Sequence, residues 1–193
     1  GVILVLRTHM NKLVSINEED QTAVVQPGMM GPAYEAALNS RSHQLGAKRP
    51  WTGGHFPQSF ELATVGGWVT ALGSGQASTY YGDAYDLVVA QEYVTPIGTL
   101  TTRAYPAVAN GPKVNDILKG SEGAFGILVE VTLKIFPHRP QNTARFAMML
   151  PTWEAAVDTA RDIVQGEFGK PAVLRISDPE ETERALALKG FDS

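Results

Sequence analysis

The segment Gly120-Ser121-Glu122-Gly123-Ala124-Phe125-Gly126-Ile127 constrains this chain more than any other. Three glycines at three-residue spacing separate a short helix, expected over Val114 to Leu118 and ending at Gly120, from a long strand. The strand is expected from Ile127 to Phe136, where Val129, Val131, Leu133 and Ile135 alternate with polar residues. Glycine lets a backbone come close to a neighbour that a β-carbon would hold away. The loop therefore either approaches a flat or phosphorylated ligand or is a glycine-rich connection with none; spacing alone leaves both readings open.

A second segment, Pro57-Gln58-Ser59-Phe60-Glu61-Leu62-Ala63-Thr64-Val65-Gly66-Gly67-Trp68, leads into a short helix expected over Val65 to Leu72. Each of its two glycines costs a helix interior roughly 1 kcal/mol relative to alanine, so a close contact is expected there. Backbone N–H groups near a helix start, together with the Ser59 and Thr64 hydroxyls, can hold a pyrophosphate without a lysine. The alternative is an irregular surface loop. Gly73-Ser74-Gly75-Gln76-Ala77-Ser78 falls short of G-x-G-x-x-G and lacks the surrounding strand and acidic residue, and no lysine of the P-loop type follows any glycine run. Both of those nucleotide folds are rejected.

Other chemistry is excluded more simply. With a net charge of −4 and no Lys/Arg stripe, nucleic acid is not an expected partner. The chain has no cysteine, which removes disulfides, thiolate metal sites and cysteine nucleophiles together. His9, His43, His55 and His138 show no ligand spacing, so no metal is expected, and no G-x-S-x-G elbow is present. Tyr80, Tyr81 and Trp51 read as packing residues, Asp86 as a loop anchor and Glu130 as a strand-surface charge. No apolar run is long enough for a transmembrane helix. Val2-Ile3-Leu4-Val5-Leu6 reads as a strand covered on both faces rather than a signal peptide.

The remaining pattern is that of an α+β chain. Leu13 to Ile16 and Thr22 to Val25 flank a polar turn, Pro32 opens a helix through Tyr34, Ala37 and Leu38, and Leu87–Ala90, Tyr93–Thr95 and Thr99–Thr101 are β. Pro137 and Pro140 suggest a boundary between residues 1–140 and 141–193. Beyond it come a strand over Thr143–Leu150, an amphipathic helix from Trp153 with Thr152 as its cap, a strand over Ala172–Ile176 and a helix over Glu180–Leu188. This order starts an α/β layer too short to close its own core.

Taken together, the ordered matches Met10-Asn11-Lys12, Gly31-Pro32, His55 to Glu61, Thr64 to Trp68, Ser74-Gly75-Gln76, Tyr81-Gly82, Asp86-Leu87-Val88, Val94-Thr95-Pro96 and Gly120 to Gly123 resemble flavoproteins of the vanillyl-alcohol-oxidase (PCMH) type. The resemblance runs from Leu4 to about Ala187 and is nearest to the branch containing alkyldihydroxyacetonephosphate synthase. It implies a partial PCMH-type FAD-binding domain followed by the start of a substrate-binding cap. It also implies non-covalent FAD contacted by Gln58, Ser59, Phe60, Glu61, Leu62, Ala63, Thr64, Gly66 and Gly67, by Ala71, Leu72, Gly73 and Ser74, and by Glu122, Gly123, Ala124, Phe125, Gly126, Ile127 and Leu128. Leu72, Ala124 and Phe125 depart from the family pattern, which often has Arg, Thr and Leu at these places. Arg175 matches an arginine near the active site of that branch and is a candidate for an anionic substrate, with a strand-surface charge as the alternative. The resemblance places the family's glycine-rich pyrophosphate loop before Val2 and its catalytic residues after Ser193, so this span alone is expected to be inactive. A small-molecule substrate and a cytoplasmic location are expected, with a homodimer allowed. A D-lactate or glycolate dehydrogenase and a flavin-free module keeping the fold are the alternative readings.

Overall fold

The computed structural model describes residues 2–40, 45–105 and 107–190. The chain divides into two compact units, Gly1–Thr143 and Ala144–Ser193.

In the first unit, β1 (Leu13–Asn17) and β2 (Thr22–Val25) form the expected hairpin, its turn held by the Asn17 side chain, which accepts from the N–H groups of Glu19 and Asp20. Helix α1 (Gly31–Asn39) follows, with Pro32 in its first turn, where a missing N–H leaves no hydrogen bond unmade. The two-residue strand β3 (Trp51–Thr52) comes next, then helices α2 (Val65–Ala71), α3 (Ser78–Tyr81) and α4 (Ala84–Leu87). Asp83 caps α4 by accepting from the Tyr85 and Asp86 N–H groups, while Asp86 returns a bond to the Asp83 N–H. Strand β4 (Val88–Thr95) is one continuous element where the sequence suggested two, and it turns into β5 (Gly98–Thr101). Helix α5 (Val114–Leu118) precedes β6 (Ile127–Lys134) and the short β7 (Phe136–Pro137).

The main sheet has the antiparallel order β1-β2-β6-β4-β5, so β6, the strand that leaves the glycine loop, lies at its centre. The alternating stretch is not one strand to Phe136. After Lys134 the chain leaves this sheet, the Ile135 N–H donating to Gln21 O, and β7 pairs with β3 as a separate two-stranded ladder. The core gathers Tyr34 and Leu38 from α1, Trp51 from β3, Val65 and Val69 from α2, Tyr93 and Val131 from the strands, and Ile135 from the link between β6 and β7, all essentially inaccessible. Burying each such side chain stabilises by roughly 1.5–3 kcal/mol. Glu35 is buried among them, accepting from Thr52 Oγ1 at 2.9 Å and Gly53 N at 2.7 Å. Burial raises its pKa above the usual carboxylate range, against the lowering effect of those bonds.

Three expected strands are absent. Val2 to Val5 is irregular and exposed, Val2 to 98%, and Leu6–Thr8 forms a 3-10 turn. The stretches Thr143–Leu150 and Ala172–Ile176 are likewise irregular, with Met149 and Val173 exposed. The reason is common to all three. An apolar run becomes a strand only with a neighbour to complete its ladder, and among the described residues none pairs with these stretches.

The second unit holds α6 (Trp153–Gln165) and α7 (Pro179–Leu188). Thr152 caps α6, accepting from the Ala155 N–H at 3.1 Å, and Asp178 caps α7, accepting from the Glu181 N–H at 2.7 Å. Neither helix has a buried residue.

Candidate functional site

Helix α2 organises the candidate site. Its C-terminal end is closed by the glycine loop that follows α5, since Gly120 N donates to Val69 O and Glu122 N to Thr70 O, both at 3.1 Å. Two segments some fifty residues apart, Ala71–Ser74 and Glu122–Leu128, are thereby brought together. Gly120 is required at this junction: its φ is +68°, and a β-carbon there would stand 2.6 Å from Leu72 Cδ1. Leu72 itself ends α2 in the left-handed conformation (φ 52°) and lays its side chain over that glycine. Leu72 thus has a packing role that its departure from the family pattern does not disclose.

The third segment adjoins from the other side. Gln76 N donates to Phe56 O at 3.1 Å, and Gly75 lies so close that a β-carbon would meet the Phe56 backbone at 2.7 Å. From Pro57 to Leu62 the chain makes a compact turn, with Phe60 N bonded to Pro57 O and Leu62 N to Ser59 O, and Phe60 packs against Phe56 and Trp68. All three predicted segments therefore meet around α2.

The N–H groups at the start of α2 are already committed, Val65 to Met29 O, Gly66 to Pro27 O, Gly67 to Thr64 Oγ1 and Trp68 to Thr64 O. The helix start therefore offers no donor to a pyrophosphate. Among the described residues of the three segments, the N–H groups of Gln58, Ser59, Glu61, Thr64, Ser74, Gly123, Phe125 and Gly126 have no protein acceptor. Gln58, Ser59, Glu61, Leu62, Gly67, Ala71, Ser74, Glu122, Gly123, Ala124, Phe125 and Ile127 are exposed, while Phe60, Ala63, Thr64, Leu72, Gly73 and Gly126 are half-buried. Gly66 and Leu128 instead lie in the core: Gly66 packs on Pro27 at a distance no side chain could share. Their glycine and leucine identities answer to packing.

His55, which histidine spacing does not single out, borders these segments. Its imidazole is buried against Trp68, with ring centroids 4.9 Å apart and Gly73 beside it. Neither ring nitrogen has a protein partner, and burial lowers its pKa to about 4, keeping the ring neutral. A cavity of about 10 Å³ lined by Tyr34, His55 and Trp68 lies next to it. Its position at the head of the His55-Phe56-Pro57 match was the available signal; metal-ligand spacing was the wrong test. Arg175 lies in the second unit and is paired with Glu181.

A family described as FAD binding domain matches residues 1–103. This chain belongs to it. The match covers the Gln58–Thr64 and Ala71–Ser74 segments, while Glu122–Leu128 lies beyond it. Alkyldihydroxyacetonephosphate synthase of Dictyostelium discoideum is 36% identical over 180 residues, covering 93% of this chain and 28% of its own length. An uncharacterised FAD-linked oxidoreductase, YgcU, of Escherichia coli (strain K12) is 34% identical over 173 residues, 89% of this chain and 34% of its own. A solved structure of alkyldihydroxyacetonephosphate synthase superposes with a TM-score of 0.74 at 34% identity, over 92% of this chain and 30% of that one. The chain thus spans about a third or less of the relatives it matches. The branch and the partial PCMH-type α+β fold expected from the sequence are as these relatives have them. Among the described residues no helix is long and apolar enough to cross a membrane, and no three potential metal ligands cluster.

The family's cofactor can be tested against these residues. FAD needs donors for a diphosphate and apolar surface for flat rings, with little excess positive charge. Unpaired backbone N–H groups and the exposed apolar side chains Leu62, Phe125 and Ile127 occur in the same three segments. The fit is good.

Proposed function

We propose that the chain is the FAD-holding part of an FAD-dependent oxidoreductase or alkyldihydroxyacetonephosphate-synthase-like enzyme, and that it holds the flavin non-covalently. The observation that carries this reading is the docking of the Gly120–Glu122 backbone on the carbonyls of Val69 and Thr70. It sets the Ala71–Ser74 and Glu122–Leu128 segments side by side, with the Gln58–Thr64 turn on the flank. Ser59, Glu61, Ser74 and Gly123 would donate backbone N–H bonds, and Leu62, Phe125 and Ile127 would cover ring surface. Bound FAD would supply the redox or adduct chemistry. In this assignment residues 1–140 belong to the FAD domain and 141–193 open a substrate-binding cap, where Arg175 could meet an anionic small-molecule substrate once released from Glu181. Solution in the cytoplasm is part of the same proposal.

The test is an absorption spectrum of the purified full-length protein after incubation with FAD and removal of the excess. Paired flavin bands that pass to the supernatant on heating support the reading. A protein that stays colourless leaves a flavin-free module with the same fold, and colour that stays with the denatured polypeptide refutes non-covalent binding.

A further inference from the structure

A concavity of about 590 Å³ opens beside the small β3–β7 ladder and shares no residue with the three segments assigned to FAD. That volume lies within the range of small-molecule sites, roughly 300–1,000 Å³. Its walls carry Arg49, His138, Arg139 and Gln141, with Asn39 lining it while its amide nitrogen donates to Glu35.

Arg49 is held in place beforehand. One oxygen of the Glu18 carboxylate accepts from Lys48 N at 2.8 Å, Arg49 N at 3.2 Å and Trp51 Nε1 at 2.8 Å. This fixes the indole, and the Arg49 guanidinium lies 4.7 Å from the centre of its ring. On the other wall, His138 N donates to Pro50 O at 3.1 Å, extending the ladder, and Arg139 leads into the 3-10 turn Pro140–Asn142. Glu18 is engaged by its three donors through one oxygen and feels the charge of Arg49 without forming a salt bridge with it. Glu35, the carboxylate that feels His138, is buried and accepts from Thr52, Gly53 and Asn39, so it fixes the Asn39 amide. Among the described residues neither Arg49 nor Arg139 forms a salt bridge.

Two guanidiniums that form no salt bridge among the described residues, an imidazole and the Gln141 amide call for a ligand with more than one negative charge and several acceptor oxygens. A single carboxylate would satisfy one guanidinium and leave the other unmatched. We propose that this concavity binds a small phosphorylated metabolite through its phosphate group, at a second site separate from the flavin.

Calorimetric titration of the full-length protein with inorganic pyrophosphate, with and without saturating FAD, tests this. The expected result is saturable one-to-one binding in both conditions, weakened about tenfold by Arg139→Gln and by Arg49→Gln, and unchanged by Arg103→Gln on another part of the surface. Should Arg49→Gln unfold by uncovering Trp51, Arg49→Lys keeps the stem and charge and is expected to weaken binding less than the glutamine variant of Arg139. Absence of saturable heat, equal weakening by Arg103→Gln, or loss of binding once FAD is present would each overturn the second site. Tighter binding of citrate than of pyrophosphate would overturn the phosphate assignment.

Discussion

Trp51 and Trp153 mark the difference between the two units of the molecule. Trp51 is fully buried, with its indole N–H on Glu18 and Arg49 over its face; Trp153 opens α6 half exposed. Both units have well-made local structure, and the helices of the second are the better capped. Only the first converts its apolar faces into a core, because only there does a five-stranded sheet present a surface for α1 and α2 to cover. Caps and periodicity make helices; burial needs a partner surface, and stability follows burial.

The largest effect expected follows from that pair of residues. Trp51→Ala should lower the stability of the first unit by about 3–5 kcal/mol, since it leaves a cavity and strands the Glu18 carboxylate. Trp153→Ala should change stability by no more than about 0.5 kcal/mol. Urea unfolding followed by far-ultraviolet circular dichroism measures both, and similar losses in the two variants would show that the second unit has a core of its own.

The next effect tests whether the α2 junction is the organising contact of the site. Gly120→Ala places a methyl group against Leu72 at a positive φ, and should cost about 2–3 kcal/mol. It should also weaken FAD retention in the full-length protein, whereas Gly98→Ala, at a positive φ in the β4–β5 turn with nothing within 4 Å, should cost stability from backbone strain and leave retention alone. Equal losses of FAD in the two variants would mean that strain anywhere in this unit loosens the flavin, and that the junction has no special part.

Where the sequence was legible, a local rule and the tertiary outcome agreed. The hairpin of β1 and β2, the short glycine-bearing α2 and the amphipathic α6 each follow from spacing and caps that act within a dozen residues. Val2–Leu6, Thr143–Leu150 and Ala172–Ile176 are not strands because an apolar run states only half of a ladder. The candidate site was legible as three glycine-rich segments, and the ordered family matches joined them. Which residue faces a ligand was not legible: Gly66 and Gly67 are adjacent, yet one is pressed on Pro27 and the other is exposed. The commitment of every N–H at the α2 start depends on Met29 and Pro27, which no local pattern connects to Val65.

The buried titratable groups of the first unit give a third expectation, one without a counterpart in the second. Burial lowers the pKa of His55 from 6.5 to about 4. Between those values the unfolded chain binds the proton and the folded one does not, so stability rises with pH across this window and is flat above it. The swing should be about 3 kcal/mol. Glu35 acts in the opposite sense: its raised pKa makes stability fall as pH rises from its unfolded value through its folded one. Stability measured from pH 4 to 7 in wild type and His55→Gln separates the two, and the difference curve should slope upward with pH. A flat difference would place His55 in contact with solvent.

The smallest effect sharpens the comparison most closely, because the same chemistry occurs once in each unit. Thr64 and Thr152 are both N-caps whose hydroxyls accept from the N–H three residues on, Gly67 at 3.2 Å and Ala155 at 3.1 Å. Removing either hydroxyl should cost its helix about 1 kcal/mol. The loss at Thr64→Ala should appear in the global unfolding of the first unit, because α2 is packed through Val65 and Val69 into the core and opens only with it. At Thr152→Ala it should appear as fraying, faster amide exchange over the first turn of α6 with an unchanged unfolding midpoint, since no residue of that helix is buried. A midpoint that shifts equally in both variants would mean that α6 unfolds together with a core, and the contrast between the two units would then be one of accessible surface and not of cooperativity.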